Sequence, residues 1–404
     1  MAEQRQYDVV MFGATGFTGA LTAEYLARAS AARPLRWAIA GRNRDKLERV
    51  RAQLLARADG AAAPETLIAD VGDAASIADL ARRARVVATT VGPYIQYGEP
   101  LVRACAEAGT DYVDLTGEPE FVDAITARYH AQAVQNRARI VNACGFDSVP
   151  HDLGAYFTIK ALQALVLPAE LERTPIKIEG FVRATGTISG GTWHSAITAM
   201  SRMRAYQKER KRRDGRDGQG VIDGRQVHRL PPRLAFRKEI GAWAVPMPTI
   251  DPEVVCHSAR LLPAYGCDFR YGHYAAVRHF PTLAVGLTGL GALFALAQLP
   301  PTRALLLKAR KPGDGPSEAV RARSKFRVTF LGEAAGHHVR TAVSGGDPGY
   351  GETAKMLAES ALCLALDRDR LPACYGIVPT AAAMGDALID RLQNAGIAFE
   401  TLPA

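Results

Sequence analysis

Short apolar runs and helix-period stretches alternate through the first third of the chain. Val9-Val10-Met11-Phe12, residues 35–40, 66–69 and 86–91, and the shorter 111–114 and 139–142 read as strands, each closed by glycine, aspartate or another polar turn. Between them lie amphipathic stretches with helical spacing: Leu21, Ala23, Tyr25 and Leu26 ahead of a break at 32–34, then 44–58, 74–84 and 100–108. This repeated strand-helix order predicts a parallel, doubly wound sheet.

Beyond Pro150 the alternation stops. A helix from about Asp152 (Leu153, Tyr156, Phe157, Ile159, Leu162) leads to strand-like 176–184, and a glycine-rich turn at 187–193 precedes a helix at 194–208. Residues 325–331 and 338–344 alternate polar and apolar as a hairpin would, and Gly345-Gly-Asp-Pro-Gly-Tyr350-Gly351 opens a helix at 352–366. The fold class expected is α/β, an N-terminal doubly wound parallel sheet with a second α+β domain. The expected division is 1–152, then 153–378, then a C-terminal helical segment, 379–404, packing back on the first domain.

The strongest chemical signal is the turn that follows the first strand, Gly13-Ala14-Thr15-Gly16-Phe17-Thr18-Gly19. At this spacing the first glycine permits a tight turn, the second lets backbone approach a pyrophosphate, and the third lets the helix pack closely on its strand. The helix N-terminus then meets the phosphates with its positive end. This is the dinucleotide-binding fingerprint of a Rossmann domain. After the second strand stand Gly41 and Arg42, where a site for NAD would present a carboxylate to the ribose hydroxyls; a guanidinium suits a ribose 2′-phosphate, so the cofactor expected is NADP. Lys46 reads as a solvated helix face. Asp70 and Val71, at the third strand end, are candidates for the adenine edge, with a turn or N-cap role equally open for Asp70. Gly92 and Pro93 fall at the end of the strand 86–91, where the nicotinamide ribose is expected, and Tyr94 carries a hydroxyl beside them. Further polar strand ends follow at 115–118 and 143–150.

Composition narrows the partners. The formal charge is +9, favouring phosphorylated cofactors, acidic carrier proteins or anionic membrane surfaces. No aromatic-basic platform or helix-turn-helix spacing accompanies it, so nucleic acid is not expected. The cysteines at 105, 144, 256, 267, 363 and 374 form no Cys-x-x-Cys pair, and no metal site or disulfide framework is expected. The polar N-terminus enters a strand directly, without a secretory pattern, and a cytoplasmic location is the default. The basic run at 202–213 reads as a solvated helix end, with docking to anionic lipid or an acidic carrier as the alternative. Residues 280–302 carry no formal charge. Their length fits a core helix, an oligomer-interface helix, a helix on a membrane surface or a span; the cations at 303, 308, 310 and 311 would suit an anionic leaflet.

The chain resembles the saccharopine dehydrogenase-like oxidoreductases, in their bacterial trans-acting enoyl reductase branch. The resemblance is carried by GATGFTG (13–19), AGRNRDKL (40–47), VGPY (91–94), YVDLTGE (112–118), CGFDSVPHDLG (144–154), KPGDGPSEA (311–319), SGGDPGYGETAKMLAESALCLA (344–365) and AMGDALIDRL (383–392). It implies an NADP-binding Rossmann domain, a second α+β domain and reduction of a carbon-carbon double bond in a carrier-bound fatty or polyketide chain during lipid or glycolipid assembly. It also implies peripheral contact with a membrane, here the inner face of the plasma membrane. A homo-oligomer is expected.

Enoyl reduction requires a hydride donor, hydrogen bonds to the developing enolate oxygen and a proton for the α-carbon. Tyr94 is the first candidate for the acid, with Ser148 and His151 as alternatives and Tyr350, placed on the second domain, a weaker one. Each also has a structural reading: Tyr94 packing against the nicotinamide, Ser148 capping a helix, His151 a partly exposed polar group. Saccharopine-type chemistry at a carbon-nitrogen bond ranks lower, because no paired arginines stand beside the strand-end loops to take two substrate carboxylates. An NADP-binding lipid-surface scaffold without turnover is the third reading.

Overall fold

Six strands are laid down in sequence, β1 (Tyr7–Phe12), β2 (Trp37–Gly41), β3 (Glu65–Ile68), β4 (Ala84–Thr89), β5 (Asp111–Val113) and β6 (Arg139–Val141). With a late strand, Gly376–Ile377, they form a seven-stranded sheet in the order Gly376–Ile377, β6, β5, β4, β1, β2, β3. Every pairing is parallel. The direction of strand addition reverses at β1, which pairs with β2 on one side and β4 on the other, and such a switch point is where doubly wound sheets bind ligands. The protein is a computed structural model describing residues 5–57, 60, 62–171, 173–185, 193–194, 196–198, 200–202, 221–222, 225–247, 249–309 and 317–403.

The chain divides into two compact units, 1–149 with 350–397 and 150–349 with 398–404. This differs from the expected division. Residues 350–378 belong with the parallel sheet, because the helix Gly351–Leu366 packs on β1, β4 and β5 and against the helix Thr380–Asn394. Residues 398–404 belong with the second unit, because the strand Ala398–Leu402 pairs with His337–Gly345. The chain crosses once near residue 150, returns near 350, and places its last strand in the second unit.

The second unit is a mixed sheet in the order Ala235–Arg237, Ala242–Pro246, Asp268–Val277, Ile176–Ala184, Phe326–Ala334, His337–Gly345, Ala398–Leu402. The hairpin read at 325–331 and 338–344 is present as Phe326–Ala334 and His337–Gly345, turned by Ala335 and Gly336, both at positive φ. The helix Val149–Gln163 is fixed beside this sheet by a close approach: a Cβ at Gly154 would lie 2.3 Å from Phe330 Cε2. One turn on, the Thr158 and Thr341 hydroxyls meet at 2.7 Å in the core.

The apolar segment forms a helix, Phe280–Gln298, followed by a second, Pro300–Lys308. It is not a core helix. Only Leu283 and Ala297 are buried, and residues 284–292 are exposed on every side. The turn at 187–192, the basic run from 203 onward and the connection 310–316 lie outside the described residues.

Candidate cofactor and active site

The turn after β1 is built by steric exclusion. Gly13 adopts φ +92°, and a Cβ there would lie 2.7 Å from Val91 Cγ2; a Cβ at Gly19 would lie 2.1 Å from the Gly13 carbonyl oxygen. Neither position accepts a side chain, so the first turn of the following helix, α1 (Phe17–Ala32), sits directly on the strand end. Gly16 N-caps α1 with no side-chain hydrogen bond, and the first turn holds no acidic residue. The cap residue brings no acceptor of its own, and a helix N-terminus holds an anion through its N–H groups and positive end. Ala14, Thr15 and Thr18 complete the cradle. Phe17 packs edge-on against Tyr350 at 5.0 Å between ring centroids. Tyr350 therefore belongs to the cofactor-turn unit, not to the second domain where the sequence reading placed it.

At the end of β2, Asn43 accepts the Lys46 backbone N–H at 2.9 Å and so caps the helix Arg44–Arg57. The cap leaves Arg42 just outside the helix, exposed, with no ion pair or hydrogen bond among the described residues. Gly41 is buried and brings no carboxylate to the strand end. The glycine cradle, the uncapped helix and the unpaired guanidinium fit a dinucleotide bearing a 2′-phosphate. Asp70 has taken the turn role: its Oδ1 accepts the Gly72 N–H at 2.9 Å, and its carbonyl accepts the Asp73 N–H. Val71 packs partly against the core of the unit.

The strand ends of β4, β5 and β6 are joined by buried polar groups. Gly92 is exposed and Pro93, half-buried, begins the short helix Tyr94–Tyr97. The Tyr94 hydroxyl donates to the Thr89 carbonyl at 3.2 Å and accepts the Leu115 N–H at 3.1 Å. Glu118 accepts the N–H groups of Tyr94 and Ile95, both at 3.0 Å, clamping the two loops together. Asp114 accepts from the Tyr112 hydroxyl, the Asn142 amide and the backbone of Thr116 and Ala143. Burial pushes its carboxyl up to about 6, against the pull of those donors. After β6, the Phe146 N–H donates to the Thr353 hydroxyl at 3.2 Å, tying this loop to the start of the helix Gly351–Leu366.

These bonds give each of the proposed acids a structural role. Tyr94 is buried, its hydroxyl is committed at both ends, and desolvation with the nearby Asp114 carboxylate raises its pKa well above the ordinary value. It holds two loops together and is not a free proton donor. Ser148 is fully buried with its hydroxyl on the Asp147 carbonyl at 2.7 Å. His151 lies in the other unit and is buried, not partly exposed: its Nδ1 is 2.7 Å from Asp251 Oδ1, and His273 Nε2 is 3.6 Å from Asp251 Oδ2. Desolvation pushes Asp251 up, but His151 and then His273 more than offset it and hold the carboxyl below its usual range. Burial pushes His273 down to about 4.

Donor atoms of His151, Asp251 and His273 lie within 4.8 Å of one another, a cluster the cysteine and histidine spacing did not reveal. Ligands on a tetrahedral zinc with bonds near 2.0 Å sit about 3.3 Å apart. The 2.7 Å approach of His151 to Asp251 is that of a hydrogen-bonded pair. The cluster ties the helices Val149–Gln163 and Asp251–Leu261 to the strand Asp268–Val277. Asp114 and Glu118 were visible as polar residues at a strand end, but Asp251 and His273 stand isolated in sequence and carry no such signal.

Residues 9–141 match the family described as Saccharopine dehydrogenase NADP binding domain. A trans-acting enoyl reductase of Mycobacterium ulcerans is 37% identical over 423 residues, covering 98% of this chain and 97% of its own. A trans-acting enoyl reductase of Mycobacterium bovis is 36% identical over 422 residues, covering 98% of each chain. A Mycobacterium tuberculosis relative, whose name carries the same activity provisionally, is 40% identical over 428 residues, covering 99% of this chain and 98% of its own. The solved structure of saccharopine dehydrogenase (L-Glu forming) from Saccharomyces cerevisiae superposes with a TM-score of 0.55 at 12% identity, covering 98% of this chain and 99% of that one. The two share a fold.

Three outcomes are expected from this geometry. Arg42→Ala weakens NADPH binding by about 2 kcal/mol, roughly thirty-fold, and leaves NADH affinity unchanged in fluorescence titrations. Tyr94→Phe strands a buried carbonyl and N–H, costing about 1–3 kcal/mol in denaturant unfolding, while turnover falls less than ten-fold; loss of a general acid would cost about 10²–10⁴. For His273, the unfolded imidazole takes a proton below about pH 6.5, whereas the folded one stays neutral to about 4. The unfolded state binds more protons in that window, so stability falls as pH drops through it, by up to about 3 kcal/mol. His273→Gln flattens this fall in unfolding measured at stepped pH.

Proposed function

The chain belongs to the saccharopine dehydrogenase-like oxidoreductases, in their trans-acting enoyl reductase branch, and from that premise we propose that it reduces the α,β double bond of a carrier-bound acyl thioester with NADPH. The observation that carries this reading is the whole-chain similarity to proteins named for that activity, joined to a turn whose residues fit the cofactor. The role we assign is in the assembly of fatty or polyketide chains for lipids or glycolipids.

NADPH, when bound, supplies the hydride for the β-carbon. The chain's own residues hold and orient. The Gly13–Gly19 turn and the start of α1 receive the diphosphate, and Arg42 receives the 2′-phosphate. Tyr94 and Glu118 fix the loops after β4 and β5, so that the backbone at Gly92 and Pro93 would meet a bound cofactor in a fixed position. Tyr94 is a positioning residue in this scheme. An acidic acyl carrier is the partner we favour, since its charge complements a chain with net charge +9 and complementary charge speeds encounter.

The test is NADPH oxidation by purified protein, with NADH as control, on long-chain enoyl thioesters carried by pantetheine or by an acidic carrier protein, and separately on saccharopine-forming substrates. Enoyl-dependent oxidation with the saturated product confirmed by mass is expected, with kcat/KM for the carrier-bound substrate falling as salt is raised and for the pantetheine substrate staying level. Turnover confined to saccharopine-forming substrates, or none on either set with NADPH tightly bound, overturns the assignment.

A further inference from the structure

We propose that the helix Phe280–Gln298, backed by the helix Pro300–Lys308, is an insertion element that seats the second unit in one leaflet of an anionic lipid bilayer. The inference is independent of the reaction assigned above and rests on exposure, internal polar satisfaction and topology.

A soluble surface helix turns an apolar stripe inward and a polar face to water. This one has no polar face. Residues 284–292 are exposed all round the helix, Val285 at 73%, with Leu287 and Leu290 also exposed. The helix Phe280–Gln298 reaches a mean hydropathy of 1.8, apolar enough by composition to cross a membrane. Contiguous exposed apolar surface of this kind marks a protein or lipid contact. A second copy of the chain would cover one side of the helix; a solvent that surrounds it on all sides is hydrocarbon.

Two of the helix's three polar side chains bond within the chain, and the third, Thr282, lies exposed in the first turn. Thr288 turns its hydroxyl back to the Ala284 and Val285 carbonyls at 2.9 and 3.0 Å, and Gln298 donates to the Met200 carbonyl at 2.9 Å. Lipid offers no partner for a loose donor, so this closure is what insertion demands. Gly286, Gly289 and Gly291 face open space, where an added Cβ would meet nothing within 4 Å. No packing within the chain calls for them, and glycine weakens a helix exposed to water; glycine is more frequent in helices that lie in lipid.

The flanks supply the charge. Arg278 and His279 precede the helix, Arg303 and Lys308 follow it, and the Trp243 ring lies 5.6 Å from Phe280 at its base. Aromatic rings and cations at the ends of an apolar helix are the interfacial pattern for an anionic leaflet. At 19 residues the helix is long enough to span, roughly 28 Å, but the chain does not cross. It leaves the sheet from the strand Asp268–Val277 and re-enters the same sheet at Phe326–Ala334, both strands pairing with Ile176–Ala184. Both ends of the element therefore stay on one side of the bilayer, as in a monotopic insertion.

The experiment is flotation of the full chain with vesicles of 30% phosphatidylglycerol in phosphatidylcholine, and with phosphatidylcholine alone. Binding to the mixed vesicles is expected. Val285→Glu with Leu290→Glu should weaken it at least ten-fold without changing far-UV dichroism or Tm, because both side chains are exposed. Arg303→Glu with Lys308→Glu should abolish the preference for anionic over neutral vesicles. Failure of the wild type to float with either vesicle, or undiminished flotation of the Val285→Glu, Leu290→Glu chain, overturns the proposal. So does a dimer in size-exclusion chromatography that those two substitutions dissociate while vesicles leave it unchanged.

Discussion

The Asp114 carboxylate, removed from water at the end of β5, holds the strand-end loops in register. It is the common acceptor for Tyr112, Asn142, Thr116 and Ala143, which lie on β5, after β6 and in the loop between. Hydrogen bonds to a charged acceptor contribute about 1.5–3 kcal/mol each, and here they also hold Ala143 at φ +59°, a conformation costly for a residue with a Cβ. That bend turns the chain after β6 so that the Cys144 N–H reaches the Asp114 carbonyl at 2.6 Å. From Leu115 the bonding continues through the Tyr94 hydroxyl to Thr89, the last residue of β4. Three neighbouring strand ends thus act as one rigid platform, which is what a hydride-transfer site requires of its supporting shell.

What the sequence disclosed was the part governed by local sterics and period. The Gly13–Gly19 spacing carries part of its own reason, since a Cβ at Gly19 strikes the Gly13 carbonyl within the same turn, while one at Gly13 strikes Val91 beyond β4. The strands through β6, the helices before β5 and the hairpin at 326–345 were legible from periodicity, whereas the helix Pro119–Gln135 between β5 and β6 was not read. The rest depends on partners distant in the chain. Tyr94 reads as an acid until the Leu115 N–H, brought over by β5, occupies it. His151 reads as an alternative acid until Asp251 and His273, each about a hundred residues further on, enclose it. The expected placement of 350–378 in the second domain failed for the same reason: the helix Gly351–Leu366 is apolar enough to pack on either sheet, and only its contacts on β1, β4 and β5 decide.

The second unit inverts the usual distribution of polarity. Its interior holds a carboxylate between two imidazoles, and its surface carries an apolar helix. Buried polar groups and exposed apolar ones are the informative departures from a globular pattern. The first is resolved within the chain. A buried carboxylate without a partner would take up a proton, but Asp251 is held below its ordinary range by the imidazoles beside it and cross-links two helices to a strand. The second is not resolved within the chain, because residues 284–292 meet no described neighbour that would cover them. A cost the fold leaves uncompensated in water points outward, to a different solvent.

Cofactor choice follows from a helix cap. With Asn43 engaged by the Lys46 N–H, the helix Arg44–Arg57 begins at Arg44, and Arg42 is left at the bend between the strand end and that cap. An arginine on the helix, such as Arg44, lies beyond that cap with its side chain exposed. One held between a strand and a cap has its Cα fixed by both, and only its side chain is free to close on a phosphate. Gly41 before it adds no side chain of its own, and a Cβ there would make only ordinary contact with Leu47 at 3.7 Å. The glycine is therefore not imposed by packing. In the proposed scheme the charge that separates NADPH from NADH would be read by this guanidinium, whose position is set by backbone geometry, with no carboxylate on Gly41 to neutralise it.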